Sequence, residues 1–520
     1  MMPRQKTLPI LLAISTTALA TVAPPTLAQG FVLEEASIAS VQAAFRTGEL
    51  TCRQLTQSYL DRIAAYDDEG PALNAILTLA PDALEQADAM DAAMTSAPGE
   101  VGPLHCVPVI LKDNYNTADM PTTGSSAALE GMQPKEDAFS VARMREAGAL
   151  MLAKSSLQEF AMGGNTISSL GGQTRNPYDL GRTPGGSSGG TGAAIAASFG
   201  LIGTGSDTGQ SIRSPASAQS LVGIRPTRGL VSRSGVMPVS FTQDEIGPIT
   251  RTVEDAARML DVIAGYDPSD PITAAGVGHK PDSYLSSLDP SALRGAKIGL
   301  LTDFMGTDEP HRDVNDRTQG AADLMRAMGA EVVEFSIPGF GDLTAGLATG
   351  NFETRVAMDA YLAEIGDGAP LTSLAAIRES GRYDPAIESS MVGAVENELG
   401  PEDPAYLAIF QKRDELQKVV LAAMAEHGLD AILYPHQKRL VAEIDGEQVE
   451  RNGVLSNSTG FPAITFPGGF SQPTERAPIG VPIGIELLGR PFSEGQLIGY
   501  AYAFEQGAGL RQPPQSTPAL

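Results

Sequence analysis

Between residues 163 and 209 the composition turns abruptly to glycine, serine and threonine, and no other feature of the chain constrains its fold as much. Two runs punctuate the segment. One is Gly185-Gly186-Ser187-Ser188-Gly189-Gly190, followed by a helix of small residues expected over 193–198. The other is Ser206-Asp207-Thr208-Gly209-Gln210-Ser211-Ile212-Arg213. A short apolar strand, 201–205, runs between them. Glycine and alanine let backbones approach closely, so two hydroxyl-rich turns are expected to flank one tightly packed helix-strand unit.

The rest of the sequence alternates short apolar runs with amphipathic stretches, the pattern of an α/β fold. Helices are expected at 37–47, closed by Gly48, and after Thr51, with Leu55, Tyr59 and Ile63 on one face. A third covers 82–94. Strand 107–111 ends in Lys112-Asp113-Asn114, and helix 137–147 leads into strand 149–153. Residues 268–295, rich in Pro, Ser and Asp, read as a surface excursion. Strand 297–301, helix 312–328 and strand 331–335 follow, then a mostly helical stretch, 340–427, with a long helix at 404–426. Strands 430–434 and 483–488 and helix 494–505 close the chain. A length of 520 residues allows two to four domains or one large unit. No repeat and no long linker divides it.

Acidic residues outnumber basic ones by 62 to 36, a net charge of −26 that opposes nucleic-acid backbones and anionic membrane surfaces as partners. Residues 1–28 stand apart. They hold Arg4 and Lys6, an apolar run over 8–23, and Thr26-Leu27-Ala28 before Gln29. This is the pattern of a secretory signal peptide, cut after Ala28 or alternatively after Ala20. The run falls short of the ~20 residues a membrane span needs. An exported protein, periplasmic or secreted and without a stable membrane anchor, is therefore expected. Export would allow the two cysteines, Cys52 and Cys106, to pair. Two buried free thiols are the other possibility.

Several chemistries can be weighed on the glycine-rich segment. Gly203 and Gly205 begin a dinucleotide fingerprint, but Thr208 stands at its third glycine, and no lysine completes a phosphate loop. Gly185-x-Ser187-x-Gly189 and Gly186-x-Ser188-x-Gly190 both fit a nucleophile elbow, which also needs a downstream acid and histidine. Of the later histidines, His279, His311, His427 and His436, only His436 follows a strand closely enough to enter a site. No His-Glu-x-x-His or Cys-x-x-Cys motif points to a metal. Serine and lysine remain. A lysine held neutral by burial can serve as base for a serine nucleophile, and Lys112 ends an apolar strand.

Taken together, Pro108-Val109-x-x-Lys112-Asp113-Asn114, the run 185–190 and the run 205–216 resemble the amidase signature family. The likeness continues through Leu221-Val222-Gly223-Ile224-Arg225-Pro226-Thr227, Gly247 to Ala256, Thr459 to Ile464 and Leu488-Gly489-Arg490. It implies a single large α/β/α domain over 29–520 with a mixed, mostly parallel central sheet flanked by helices. The catalytic core would span about 104–258, a variable helical part about 270–425, and a closing block 428–510. It implies a Ser–cis-Ser–Lys triad: Ser211 as nucleophile, Ser187 as bridging serine after a cis peptide, and Lys112 as base. Ser188 falls where a serine supports the lysine amine. Backbone N–H groups of Thr208, Gly209, Gln210 and Ser211 would receive the oxyanion, while Asp207 and Arg213 would brace the turn through a salt bridge.

The implied activity is hydrolysis of an amide C–N bond through an acyl-enzyme, acting on a small molecule with neither cofactor nor metal. Carbamate, ester or cyclic-amide hydrolysis by the same triad, and a non-catalytic binding protein that keeps the fold, are the alternatives. Monomer and homodimer both fit. Substrate-pocket candidates are Gln210, Phe352, Tyr361 and Tyr434, with 439–451 as a charged loop near the entrance. The chain departs from the family in two places. Gln210 stands where a second glycine is usual, so either this turn keeps φ below zero or its oxyanion geometry differs. Cys106 stands where glycine commonly follows His105.

Overall fold

The computed structural model describes residues 30–397 and 399–520; the expected signal peptide lies outside them. The first helix, Ile38–Thr47, starts at Ser37, whose hydroxyl accepts the Ser40 N–H, and stops at Gly48 with φ 73°. The second, Cys52–Ile63, begins with the capping box of Thr51 and Gln54, and Leu55, Tyr59 and Ile63 are all buried along it. These residues recur at the helical period, so one face of the helix is apolar and must be covered.

Among the described residues thirteen strands follow in chain order: β1 Ile76–Leu79, β2 Pro108–Lys112, β3 Leu150–Ser155, β4 Ile167–Ser168, β5 Gly172–Gln173, β6 Ile202–Asp207, β7 Val222–Arg225, β8 Glu245–Thr250, β9 Lys297–Leu301, β10 Glu331–Phe335, β11 Ala431–Pro435, β12 Ala463–Phe470 and β13 Pro482–Leu488. Strands β4 and β5 form a small hairpin. The others make one sheet ordered β1-β3-β2-β6-β8-β7-β12-β13-β11-β9-β10, flanked by helices.

The sheet is mixed, as expected, but not mostly parallel. Six of its ten pairings are antiparallel and four are parallel. A parallel pair needs a crossover, and helices Phe139–Glu146 and Arg312–Ala327 supply one between β2 and β3 and between β9 and β10. Strands β12 and β13 are joined by a loop alone, so they pair antiparallel. Strands β7 and β8 have no such crossover either. Pro248 sits inside β8, yet β7 pairs with β8 only at Val222–Thr250 and Gly223–Ile249. The proline thus falls where that second ladder has ended, a position that tolerates a missing N–H.

The glycine-rich unit is as tight as its composition demands. The helix Gly189–Ala196 begins earlier than expected, with Gly189, Gly190 and Gly192 inside it. A Cβ on Gly190 would collide with the backbone of Ser156, and one on Gly203 in β6 would collide with Thr191.

Cys52 and Cys106 form a disulfide, with Cα atoms 5.7 Å apart. Cys106 has φ 58°, which explains why glycine suits this position and shows that cysteine is accommodated there. The bridge closes a separation of 54 residues. On the chain-entropy account, opening it should remove about 2–4 kcal/mol of stability. The Cys52→Ser, Cys106→Gly double variant should therefore melt several degrees below the oxidised wild type. Equal melting temperatures would mean that the link constrains nothing.

Candidate active site

Strand β2 is buried along its whole length between β3 and β6, and it delivers Lys112 into the interior. The amine donates to Ser187 Oγ at 2.8 Å, to Ser206 Oγ at 2.8 Å and to the Ser206 carbonyl at 3.2 Å. Three partners suit an ammonium with three donors. They also suit a neutral amine with two donors and a lone pair facing one of the hydroxyls. Burial pushes the Lys112 pKa down to about 7, against the pull of the Asp207 and Asp244 carboxylates. Near neutral pH a large part of this amine is therefore unprotonated.

The two serine-bearing turns meet here. The Gly186–Ser187 peptide bond is cis. The Ser187 carbonyl accepts the Gln158 N–H at 3.0 Å, and the Ser188 N–H donates to the Ser211 carbonyl at 3.3 Å. Ser211 lies between the end of β6 and the helix Arg213–Ala218 and is 8% exposed. The Gln210 backbone keeps φ below zero, the first of the two options open for this turn. Among the described residues, no acceptor takes the N–H groups of Gly209, Gln210 or Ser211.

Behind the turn lies a buried chain of charges. Asp207 accepts from Arg213 Nε at 3.1 Å and from Arg225 Nη1 at 2.9 Å, and its carboxylate also takes the Ile212 N–H at 3.1 Å. Arg213 Nη1 continues to Glu486 Oε1 at 2.7 Å on β13. Glu486 in turn receives the Tyr434 hydroxyl at 2.6 Å and faces His436 Nδ1 at 2.9 Å. The expected Asp207–Arg213 brace is therefore present, as part of a longer network. Burial would raise the Asp207 pKa, but the guanidiniums of Arg213 and Arg225 outweigh it and hold the carboxyl well below its usual range.

Three sequence expectations are corrected. Ser188 does not support the amine: its hydroxyl reaches only the Ser206 carbonyl, at 3.4 Å, and Ser206 on β6 is the second hydroxyl on Lys112. Asn114 holds that hydroxyl from the far side at 3.0 Å. Tyr434 is no pocket residue. It is fully buried, spent on Glu486 and edge-on to Phe304. Phe352 packs its ring on Tyr406. From the same helix, Gly350–Ile365, it is Tyr361 that lines a cavity of about 350 Å³ together with Ser206, Thr208, Met237 and Val239. His436 is in the wall of the site but bonds Glu486 and Gln210 rather than a serine.

Sequence reasoning missed Ser206, Asn114, Arg225 and Glu486 as members of this neighbourhood, and placed Arg451 only within a charged loop near the entrance. Ser206, Asn114 and Arg225 had a local signal, since each stands inside a run that carries the family likeness; Glu486 had none. Among the described residues, no cluster of three or more His, Cys, Asp or Glu is disposed to hold a metal ion. None of the described helices is long and apolar enough to cross a membrane.

Comparison with known proteins places this arrangement among relatives. Residues 54–498 match the family described as Amidase. A glutamyl-tRNA(Gln) amidotransferase subunit of Gloeobacter violaceus is 36% identical over 508 residues, covering 93% of this chain and 98% of that one. The native peptide amidase from Stenotrophomonas maltophilia superposes with a TM-score of 0.83 at 37% identity, covering 93% of this chain and 99% of that one. An amidase family protein from Bacillus anthracis superposes with a TM-score of 0.82 at 28% identity, covering 93% of each chain.

Proposed function

The chain belongs to the amidase signature family, and from that premise we propose that it hydrolyses the C–N bond of a small linear amide through an acyl-enzyme on Ser211. The observation that carries this reading is the 2.8 Å bond between Lys112 Nζ and Ser187 Oγ inside a fully buried setting. Neutral Lys112 takes the Ser187 proton as Ser187 takes that of Ser211, and the Ser211 oxygen attacks the carbonyl carbon. The developing oxyanion is received by the N–H groups of the 209–211 turn, a reading supported by their having no acceptor among the described residues. The relay run backwards protonates the leaving ammonia or amine. Water then cleaves the acyl-enzyme by the same route and releases the carboxylate.

The relatives include a free-standing peptide amidase and a tRNA-linked amidotransferase component. A net charge of −26 opposes docking on RNA and favours the free-standing role. The leader-like residues 1–28 and the Cys52–Cys106 pair support an oxidising, extracytoplasmic location. A fluorophosphonate should label the wild type at one site per chain, and Ser211→Ala should lose the label. Absence of labelling in the wild type would favour a binding protein on the same fold. Turnover of aryl, alkyl and peptide amides would then rank the substrates.

A further inference from the structure

Next to Ser211, where the family usually carries glycine, Gln210 extends a side chain that is tied at both ends. With its amide oriented so that nitrogen donates and oxygen accepts, the nitrogen reaches His436 Nε2 at 3.3 Å. The oxygen takes Arg451 Nε at 2.8 Å and Nη1 at 3.2 Å. His436 is fixed in turn by Glu486. Burial lowers the His436 pKa, and with Nδ1 turned to Glu486 its Nε2 faces the Gln210 nitrogen. Glu486, His436 and Gln210 thus form a chain that ends on one guanidinium.

That guanidinium lies against Gly164 on one side and Gln210 on the other. A Cβ on Gly164 would strike Arg451 Nη1, and a Cβ on Gly186 would strike the Gly164 backbone, so Gly164 alone separates the arginine from the turn that carries Ser187. Just past Arg451, Gly453 packs against the Gly209 carbonyl and Gln210 Cβ, on the turn that carries Ser211. Two of the five Arg451 N–H groups are spent on Gln210. Among the described residues no carboxylate pairs with it, and burial is the sole influence on its pKa, which it lowers. Its neighbour Glu450 is committed to Arg439 and His311. An open groove of about 630 Å³, lined by Lys438 and Arg451 but also by Asp303, Asp342 and Glu450, joins this position to solvent, and it adjoins the Ser211 turn only through Gln210 and Gly453.

A largely buried guanidinium without a counter-ion is a poor structural choice but a good receptor, because its free fork matches a carboxylate in a bidentate geometry. We propose that Arg451, oriented by Gln210, binds a carboxylate of the substrate, so that the preferred amides are monoamides of dicarboxylic acids or similar acidic amides. This rests on the hydrolase reading above but is separable from it. Loss of a charge-assisted contact of this kind changes binding by about tenfold to a hundredfold.

The test uses succinamate, glutaramate and adipamate, each against its neutral diamide, with the full mature protein. At least one acid should exceed its diamide in kcat/KM by about tenfold or more. In Arg451→Gln that ratio should fall to about one, and Arg451→Lys should keep part of it. Succinate, glutarate or adipate should bind the wild type in calorimetry and slow fluorophosphonate labelling of Ser211, and should do neither in Arg451→Gln. Ratios near one throughout the wild type, or dicarboxylate binding that survives Arg451→Gln, would overturn the assignment. If dicarboxylate binds in an Arg451-dependent way while no amide is cleaved, the anion site stands and the hydrolase reading falls.

Discussion

Replacing Lys112 by alanine is expected to lower kcat/KM for amide cleavage by about a thousandfold or more at neutral pH, because it removes the only base within reach of Ser187 among the described residues. The pH profile separates this from mere loss of packing. Burial holds the Lys112 pKa at about 7, below its ordinary 10.5, and only the unprotonated amine can accept a proton. The wild-type kcat/KM should therefore rise with pH up to about 7 and then level off. Below that point the amine is charged and the rate should fall about tenfold per pH unit. In Lys112→Ala the residual rate should lose this limb. A wild-type profile that is flat between about pH 5 and pH 9 would remove Lys112 from the mechanism.

The second large effect concerns stability. Asp207 is buried between Arg213 and Arg225, and Glu486 balances the remaining positive charge. Asp207→Asn leaves two guanidiniums under-compensated in the interior and weakens the brace on the Ile212 N–H. A loss of about 3–5 kcal/mol is expected, as for other broken buried pairs. It should appear as a marked drop in the urea-unfolding midpoint, together with slower fluorophosphonate labelling of Ser211. A variant with the wild-type midpoint and labelling rate would show that the network supports neither fold nor site.

Acid should act on the same network. Burial would raise the Glu486 pKa, but Arg213 and the His436 and Tyr434 bonds outweigh it and hold the carboxyl at about 2, below its ordinary 4.5. A carboxyl depressed in the folded state stabilises the protein above its unfolded pKa. That contribution should fade as pH falls from about 4.5 towards 2, and Glu486→Gln should flatten the fade.

The parts of the site that can be read locally share a physical trait. Ser187 and Ser211 sit in short glycine-bearing runs around a unit held by close backbone contact, as the collisions at Gly190 and Gly203 show, and Lys112 ends a wholly buried strand. Runs of that kind keep their spacing legible. The same holds for the helices at Ile38–Thr47 and Cys52–Ile63, where capping residues and apolar period agree. Strands β7 and β8 were not expected, because Gly223, Gly247 and Pro248 erase the alternating pattern by which strands are recognised. The assignment of a supporting hydroxyl to Ser188 rather than Ser206 failed for a similar reason: both lie in hydroxyl-rich runs, and only the fold decides which one faces an amine.

By itself, then, the order of residues singled out Lys112, Ser187 and Ser211 and the turns that hold the two serines, since those runs follow from contacts between near neighbours in the chain. The tertiary structure decided the rest. It set the antiparallel majority of the sheet, the Cys52–Cys106 bridge, the Arg213–Glu486 pairing across 273 residues and the Arg451 guanidinium beside Gln210. Charge, pairing and proton affinity depend on what stands within a few ångströms in space, and for a buried group those neighbours come from segments that carry no mark of each other.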